Sequence, residues 1–155
     1  MELRYLYVGT DDTERDLRVW LAVPGARMSW RFRHFGADVA AVDLGTRPVI
    51  LVADHRPKGS VLPIYAVDDL AEAVDALGEG GWTVEATGLG TPEGPAALVR
   101  MPDGVEIALL RADNPHAMET AYVDPANDHA VPRNAVPPDE ESPDDGRPVS
   151  PAPRG

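Results

Sequence analysis

The side chains that could do chemistry in this sequence are few and scattered. His34, His55, His116 and His129 could bind a metal or move a proton, but no two have the spacing of a metal-binding pair. Asp54 and His55 could form an acid–base pair, yet neighbours on a strand point to opposite faces. The sequence contains no cysteine, no Ser-His-Asp set and no phosphate-binding loop. These patterns give no support to thiol, nucleophilic or phosphate chemistry.

If the strand face that carries Glu106, Ala108 and Leu110 lines a predicted cleft, Glu106 is the carboxylate on that cleft. It could anchor a cationic ligand or act as a base; the alternative is a solvated carboxylate at a strand end. The net charge of −12 also favours a cationic small molecule, unless the acidity only keeps the protein soluble. It argues against nucleic acid, because phosphate binding needs a basic face.

A repeat about 57 positions apart supplies the elements that must position these side chains. Residues 5–12 (YLYVGTDD) and 62–69 (LPIYAVDD) each predict a strand that leads into an Asp-Asp helix start. Leu17 and Trp20 then match Val74 and Leu77 on the two helices. The repeat predicts two copies of one supersecondary unit, with a cleft between the halves.

The order of elements is the same in both units. In the first, a strand over 3–8 precedes a helix to Leu21 and strands over 28–32, 37–44 and 49–53. In the second, a strand over 61–67 precedes a helix over 70–77 and strands over 82–86, 96–101 and 105–110. The glycine-rich segment 88–94 is predicted as a loop. This βαβββ-βαβββ order indicates an α+β fold whose mixed sheet curls around a cleft.

The repeat and a change of composition near residue 112 divide the chain into four parts. Units over 1–57 and 58–111 are followed by a short segment over 112–125, in which 115–122 could form a helix docked on the domain. Residues 126–155 are acidic and rich in proline, which predicts a disordered tail. No apolar run is long enough to cross a bilayer, and the N-terminus lacks the pattern of a signal peptide. We therefore expect a cytoplasmic protein without a membrane partner.

Three segments of the second unit carry a resemblance to a known superfamily. They are residues 65–70 (YAVDDL), 90–95 (GTPEGP) and 100–109 (RMPDGVEIAL). In this order the chain resembles the vicinal oxygen chelate superfamily, which includes glyoxalase I, extradiol dioxygenases and bleomycin-resistance proteins. The resemblance covers roughly residues 1–111 and is looser in the first unit, where Val19-Trp20-Leu21 stands where the family usually has Phe-Tyr before Leu-Gly.

The resemblance also implies where a metal would be bound. The family's four ligand positions fall on Tyr5, Leu51, Leu62 and Ala108, or on Ala53 instead of Leu51 if the register moves by two. Leu and Ala offer no donor atom, and Tyr is a poor ligand at neutral pH. The chain thus resembles a metal-free member of the superfamily, with no cofactor expected.

Strand alternation then predicts the residues that line the cleft, and the Met28-Trp30-Phe32 strand could add an aromatic wall. The alternative for each residue is a place in the core. The predicted ligand-binding residues are Tyr5, Tyr7, Trp30, Phe32, Leu51, Ala53, His55, Leu62, Ile64, Glu106 and Ala108.

The resemblance favours a binding protein of the bleomycin-resistance type, which sequesters a drug-like or natural-product ligand without chemistry. A flat, aromatic and cationic ligand would suit the predicted cleft. The alternative is a lyase, isomerase or biosynthetic enzyme on the same scaffold, with Glu106 or His55 as base, or with a metal if the register differs. An interaction protein that works through its acidic tail is a third hypothesis. The resemblance also implies a homodimer that pairs through its sheets.

Overall fold

The computed structural model describes residues 1–123 and 126–129, which form eight strands and three helices. Both units follow the predicted order of one strand, one helix and three strands, and a short helix comes after them. The elements are β1 (Glu2–Gly9), α1 (Thr13–Leu21), β2 (Arg27–His34), β3 (Ala37–Asp43), β4 (Val49–Ala53), β5 (Val61–Ala66), α2 (Leu70–Glu79), β6 (Thr83–Thr91), β7 (Gly94–Arg100), β8 (Glu106–Leu110) and α3 (Ala117–Ala121).

The two long helices start in the same way, as the repeat predicts. The Asp12 carboxylate accepts the Arg15 amide at 2.9 Å, and the Asp69 carboxylate accepts the Glu72 amide at 3.0 Å. Each aspartate satisfies an amide that has no partner within its own helix, and its charge faces the positive helix end. The repeat therefore specifies the helix starts.

The strands form one mixed sheet in the order β2-β3-β4-β1-β5-β8-β7-β6. Strand β1 runs parallel to β4 and antiparallel to β5, and β5 runs parallel to β8. The first strands of the two units therefore meet at the centre of the sheet. This arrangement confirms the predicted α+β fold of two βαβββ units.

The helices α1 and α2 cover one face of the sheet and leave the other face to a cavity. On the helix face, Leu17 of α1 packs on Met28 and Val52, while Leu77 of α2 packs near Val99 and Leu109. A separate apolar cluster on the opposite face surrounds the cavity. Among the described residues, no helix has the length and apolar character needed to span a membrane.

Two local features differ from the sequence prediction. The segment predicted as a loop over 88–94 is strand as far as Thr91, because β6 continues through register shifts next to Gly88, whose φ of +66° favours glycine. Another shift lies between Met28 and Trp30 in β2 and moves Met28 onto the helix face.

The segment after β8 packs on the cavity side of the sheet. Helix α3 lies within the predicted docked segment 112–125, and Met118 and Tyr122 pack against the apolar cluster there. Of the predicted tail over 126–155, residues 126–129 are described and 130–155 lie outside the described residues. The tail's predicted disorder stays a prediction.

Candidate ligand-binding cavity

The sheet face opposite α1 and α2 holds a cavity of about 510 Å³. Its volume lies in the range of sites for drug-sized ligands, about 300–1,000 Å³. Strands from both units and helix α3 contribute to the wall. The predicted site residues in this wall are Tyr5, Tyr7, Trp30, Phe32, Leu51, His55, Leu62, Ile64 and Ala108.

Strand pairing at the centre of the sheet brings the predicted residues of both units together. Tyr7 is opposite Leu51 on β4 and opposite Leu62 on β5. Ile64 is opposite Tyr5 on one side and Ala108 on the other. Side chains on one face of adjacent strands lie within contact distance, so these residues form a continuous floor.

Three aromatic rings form the wall beside the first unit. The Phe32 ring meets the Tyr122 ring edge to face, with 4.9 Å between centroids, and Trp30 lies 6.4 Å from Tyr122. Such edge-to-face pairs are stable arrangements of aromatic side chains. Trp30 is 4% exposed, so the ring is held rigidly between the sheet and the segment after α3. Tyr122 was not among the predicted site residues.

Met28 does not share this wall, although alternation from Met28 through Trp30 to Phe32 predicted one face. The β-bulge between Met28 and Trp30 adds a residue to the strand and reverses the side on which Met28 lies. Met28 is buried against Leu17 of α1.

Ala53 and Glu106 are the two predicted site residues that the structure does not place in the cavity wall. Ala53 is fully buried in the cluster beneath it. Glu106 begins β8 and pairs with Arg100, directly across on β7. Ala108 and Leu110 on the same strand do line the cavity. Glu106 thus shares their face but lies beyond the end of the cavity, which removes the basis for a cationic ligand at this residue.

Glu93 is the carboxylate that the cavity wall does contain, and the sequence analysis did not select it. It lies in the turn between β6 and β7 and is 4% exposed. Arg4 donates two hydrogen bonds to it, at 2.8 and 3.2 Å, and the Tyr5 hydroxyl donates a third at 2.8 Å. Arg4 also donates to the Pro115 carbonyl at 2.6 Å. A buried charge needs such partners, and here it has them.

The electrostatics of this cluster keep Tyr5 protonated. Burial raises the pKa of Tyr5 well above its usual value, and the Glu93 charge raises it further, although Arg4 opposes this. Burial lowers the pKa of Arg4, but the hydrogen bonds and charges of its partners outweigh that effect and raise it. Tyr5, Arg4 and Glu93 therefore form a locked cluster with no net charge.

The mouth of the cavity is formed by Tyr7, His55 and Arg56. The Tyr7 hydroxyl and His55 Nε2 share a hydrogen bond of 2.9 Å, and the Arg56 guanidinium lies 5.5 Å from the centre of the Tyr7 ring. Burial raises the pKa of Tyr7 to about 12; Arg56 lowers it and Asp54 raises it by smaller amounts. His55 is exposed, so it is within reach of both ligand and solvent.

The other histidines lie away from this mouth. His34 stacks on His129 with 3.7 Å between ring centres, and His116 lies 3.3 Å from Glu119. None of these three lines the cavity.

Comparisons with known proteins rest on structure, since no family model matches the sequence and no curated protein matches it significantly. Hypothetical protein BH1468 from Bacillus halodurans C-125 has a TM-score of 0.60 at 12% identity, over 70% of this chain and 91% of that chain. Methylmalonyl-CoA epimerase from Mycobacterium tuberculosis has a TM-score of 0.58 at 15% identity, over 71% and 87%. The chain has the vicinal oxygen chelate fold. A variant of Streptomyces coelicolor methylmalonyl-CoA epimerase in complex with 2-nitronate-propionyl-CoA matches over 74% and 96%, with a TM-score of 0.60 at 12% identity.

The side chains at the centre of this vicinal oxygen chelate fold do not suit a divalent ion. Tyr5, Leu51, Leu62 and Ala108, the positions implied for ligands, all line the cavity. Among the described residues, Glu93 is the carboxylate that joins them there. Within residues 1–123 and 126–129, no group of three or more His, Asp or Glu side chains could hold a metal. Three of the four positions lack a donor atom, and the protonated Tyr5 hydroxyl is already bonded to Glu93.

Proposed function

We propose that this protein binds and sequesters a flat, drug-like or natural-product small molecule without using a metal. The observation that supports the proposal is the cavity: at the positions implied for metal ligands, its surface is apolar and aromatic. Tyr5, Tyr7, Trp30, Phe32 and Tyr122 all contribute to the wall. Such a surface provides stacking contacts and releases water when an aromatic ligand binds.

The polar groups of the wall support binding over catalysis. Glu93 is neutralised by Arg4 and cannot readily take a proton from a ligand, because that would break a buried pair. Tyr5 is held as a donor to the same carboxylate. An enzyme of the lyase or isomerase type would need a free acid or base in reach of the substrate.

One observation favours such an enzyme as the second candidate. Tyr7 and His55 are hydrogen-bonded at 2.9 Å at the cavity mouth, and His55 could serve as a base while Tyr7 fixes its orientation. Among the structurally similar proteins are methylmalonyl-CoA epimerases, which are enzymes on this scaffold. Fold alone does not decide function, so the two candidates need a direct test.

The test is a screen of planar polyketides, aromatic antibiotics and cationic glycopeptides, with two readouts. A bound ligand raises the melting temperature by mass action. It should also quench the fluorescence of Trp30, and the quench should vanish in Trp30→Phe, which keeps Trp20 and Trp82 as internal controls. If none of these molecules binds while the protein converts a small substrate, and His55→Ala abolishes that conversion, the enzyme takes the place of the binding protein.

Metal independence is a separate part of the proposal. We expect elemental analysis of protein purified without a metal-binding tag to find no divalent metal near one equivalent, since the positions implied for metal ligands lack suitable donor atoms. Near-stoichiometric zinc, nickel, iron or manganese, with a fall in melting temperature on chelation, would contradict it.

The proposal also keeps the cytoplasmic location expected from the sequence and the homodimer implied by the resemblance. Strand β6 lies at one edge of the sheet, and Val84 and Leu89 on it are more than 40% exposed, which leaves apolar surface for a second copy. Light scattering on a sizing column at micromolar concentration measures this directly, and a monomer mass would contradict it.

A further inference from the structure

The net charge of the cavity wall is opposite in sign to the net charge of the chain. Among the described residues that line the cavity, the arginine is Arg56 and the carboxylate is Glu93, and His55 is the remaining basic side chain. Glu93 is already neutralised by the two hydrogen bonds from Arg4, whose side chain is also buried. The charge left over in the cavity is therefore positive, although the whole chain carries −12.

Arg56 makes no ion pair with any residue that the structure describes. Its Nε is buried without a hydrogen-bond partner, which is unfavourable for a charged group. The neighbouring carboxylate of Asp54 accepts the Asp38 backbone amide at 2.8 Å instead. Because this Nε has almost no accessible surface, a ligand that accepts hydrogen bonds would meet the terminal nitrogens of the guanidinium, and Arg56 lines the cavity.

The guanidinium of Arg56 is positioned by an aromatic ring of the cavity wall. It lies 5.5 Å from the centre of the Tyr7 ring, a cation–π distance, and Tyr7 is in turn hydrogen-bonded to His55. A guanidinium held on an aromatic face loses little further freedom when it binds an anion. Its planar donors match a carboxylate or sulfonate with two parallel hydrogen bonds.

We infer that the ligand carries an anionic group, and that Arg56 binds this group at the mouth while the flat apolar body occupies the cavity. The ligand class is an aromatic or polycyclic acid. This inference deepens the proposed binding function and rests on it. It replaces the cationic ligand that Glu106 suggested, because Glu106 lies outside the cavity and pairs with Arg100.

The experiment compares two fluorescent probes that share one ring system. The anionic probe is 1-anilinonaphthalene-8-sulfonate, and the neutral probe is N-phenyl-1-naphthylamine, which lacks only the sulfonate. Both become bright in an apolar site, and each should displace the other at one site per chain. Arg56→Gln should weaken the anionic probe about 5- to 50-fold, the range for a partly exposed charge-assisted contact, and change the neutral probe less than about twofold.

Two further variants control this comparison. Arg56→Lys keeps the charge and should retain much of the affinity for the anionic probe. Arg27→Gln removes an exposed arginine that pairs with Asp43 and does not line the cavity, so it should leave both probes unchanged. In the unaltered protein, raising the salt concentration should weaken the anionic probe and not the neutral one, which tests the inference without any substitution.

The outcomes separate the inference from the proposed function. If both probes bind at one site but Arg56→Gln and salt affect them equally or not at all, the anionic-ligand inference is wrong and the binding function stands. If neither the probes nor the screened molecules bind, the binding function fails and the inference fails with it.

Discussion

The first and second units have the same strand order but bury their helices to different depths. In the first unit, Leu17 of α1 is fully buried and packs on strands β2, β3 and β4. In the second, no residue of α2 is buried, although Val74 stands at the position that repeats Leu17. Both helices are capped by aspartate in the same way. The two units therefore share their helix caps but differ in how deeply their helices are buried.

The outer strands of the sheet show the same contrast. Four residues of β2 are buried, whereas none of β6 is, although both strands are edges of the one sheet. Strand β2 supplies Trp30 and Phe32 to the cavity and is covered there by Tyr122. Strand β6 contributes Leu89 and Thr91, which are exposed. Strand β6 is therefore held mainly by its pairing with β7, and few of its side chains are covered.

The largest change in stability is expected when one leucine of each helix is replaced by alanine. Leu17→Ala should lower the free energy of unfolding by about 3–5 kcal/mol, because it leaves a cavity at a fully buried site. Leu77→Ala on α2 should cost only about 1–2 kcal/mol, since Leu77 is half-buried. Denaturant unfolding of both variants measures the difference. Equal losses would show that the second unit is packed as firmly as the first.

A smaller effect is expected from two arginines that each hold two carboxylates. Arg31 in the first unit is buried and pairs with Asp38 at 2.7 Å and Glu14 at 2.6 Å. Arg31→Met should cost about 2–4 kcal/mol, because it removes the buried partner of both carboxylates and leaves them only the longer contacts with the half-exposed Arg33. Arg100 in the second unit pairs with Glu85 and Glu106, but its side chain is 40% exposed, so Arg100→Met should change stability little.

The matched pair of arginine variants also contains its own control. Both substitutions remove one charge and keep a similar apolar stem, so net charge cannot explain a difference between them. A stability loss in Arg100→Met as large as that in Arg31→Met would contradict the contrast between the units.

The smallest effect is expected for the acidic tail, which belongs to neither unit. Its composition offers little apolar surface to bury. Deleting residues 130–155 should therefore move the melting temperature by no more than about 2 °C. Differential scanning calorimetry of the shortened chain measures this, and a shift of about 10 °C would show that the tail stabilises the domain.

Sequence patterns predicted those features whose causes are local. The capping aspartates and the alternating strands depend on residues a few positions apart, so the order of elements and the fold followed from them. The alternation of side chains along β8 predicted correctly that Glu106 shares a face with Ala108, but it does not determine where the cavity ends along the strand. Alternation was wrong for Met28, because the bulge beside Trp30 leaves no clear mark in the sequence. Ala53 shares the cavity side but is covered by its neighbours.

Glu93 could not be found in this way, because its partners are distant in sequence. Arg4 lies 89 positions from Glu93 and Tyr5 lies 88 positions from it. A weak signal was present: Arg4 is a charged residue within an apolar strand, and such a residue requires a buried partner. The sequence gives no local indication that the partner is in the turn between β6 and β7.

This long separation has a consequence for how the protein folds. Contacts between distant residues form only after a large loop has closed, and they are typically late. Arg4 and Glu93 can meet only when the first strand and the β6–β7 hairpin are both in place. We therefore expect each βαβββ unit to collapse before the cavity exists. A ligand bound there would slow unfolding, because only the finished native state can hold it.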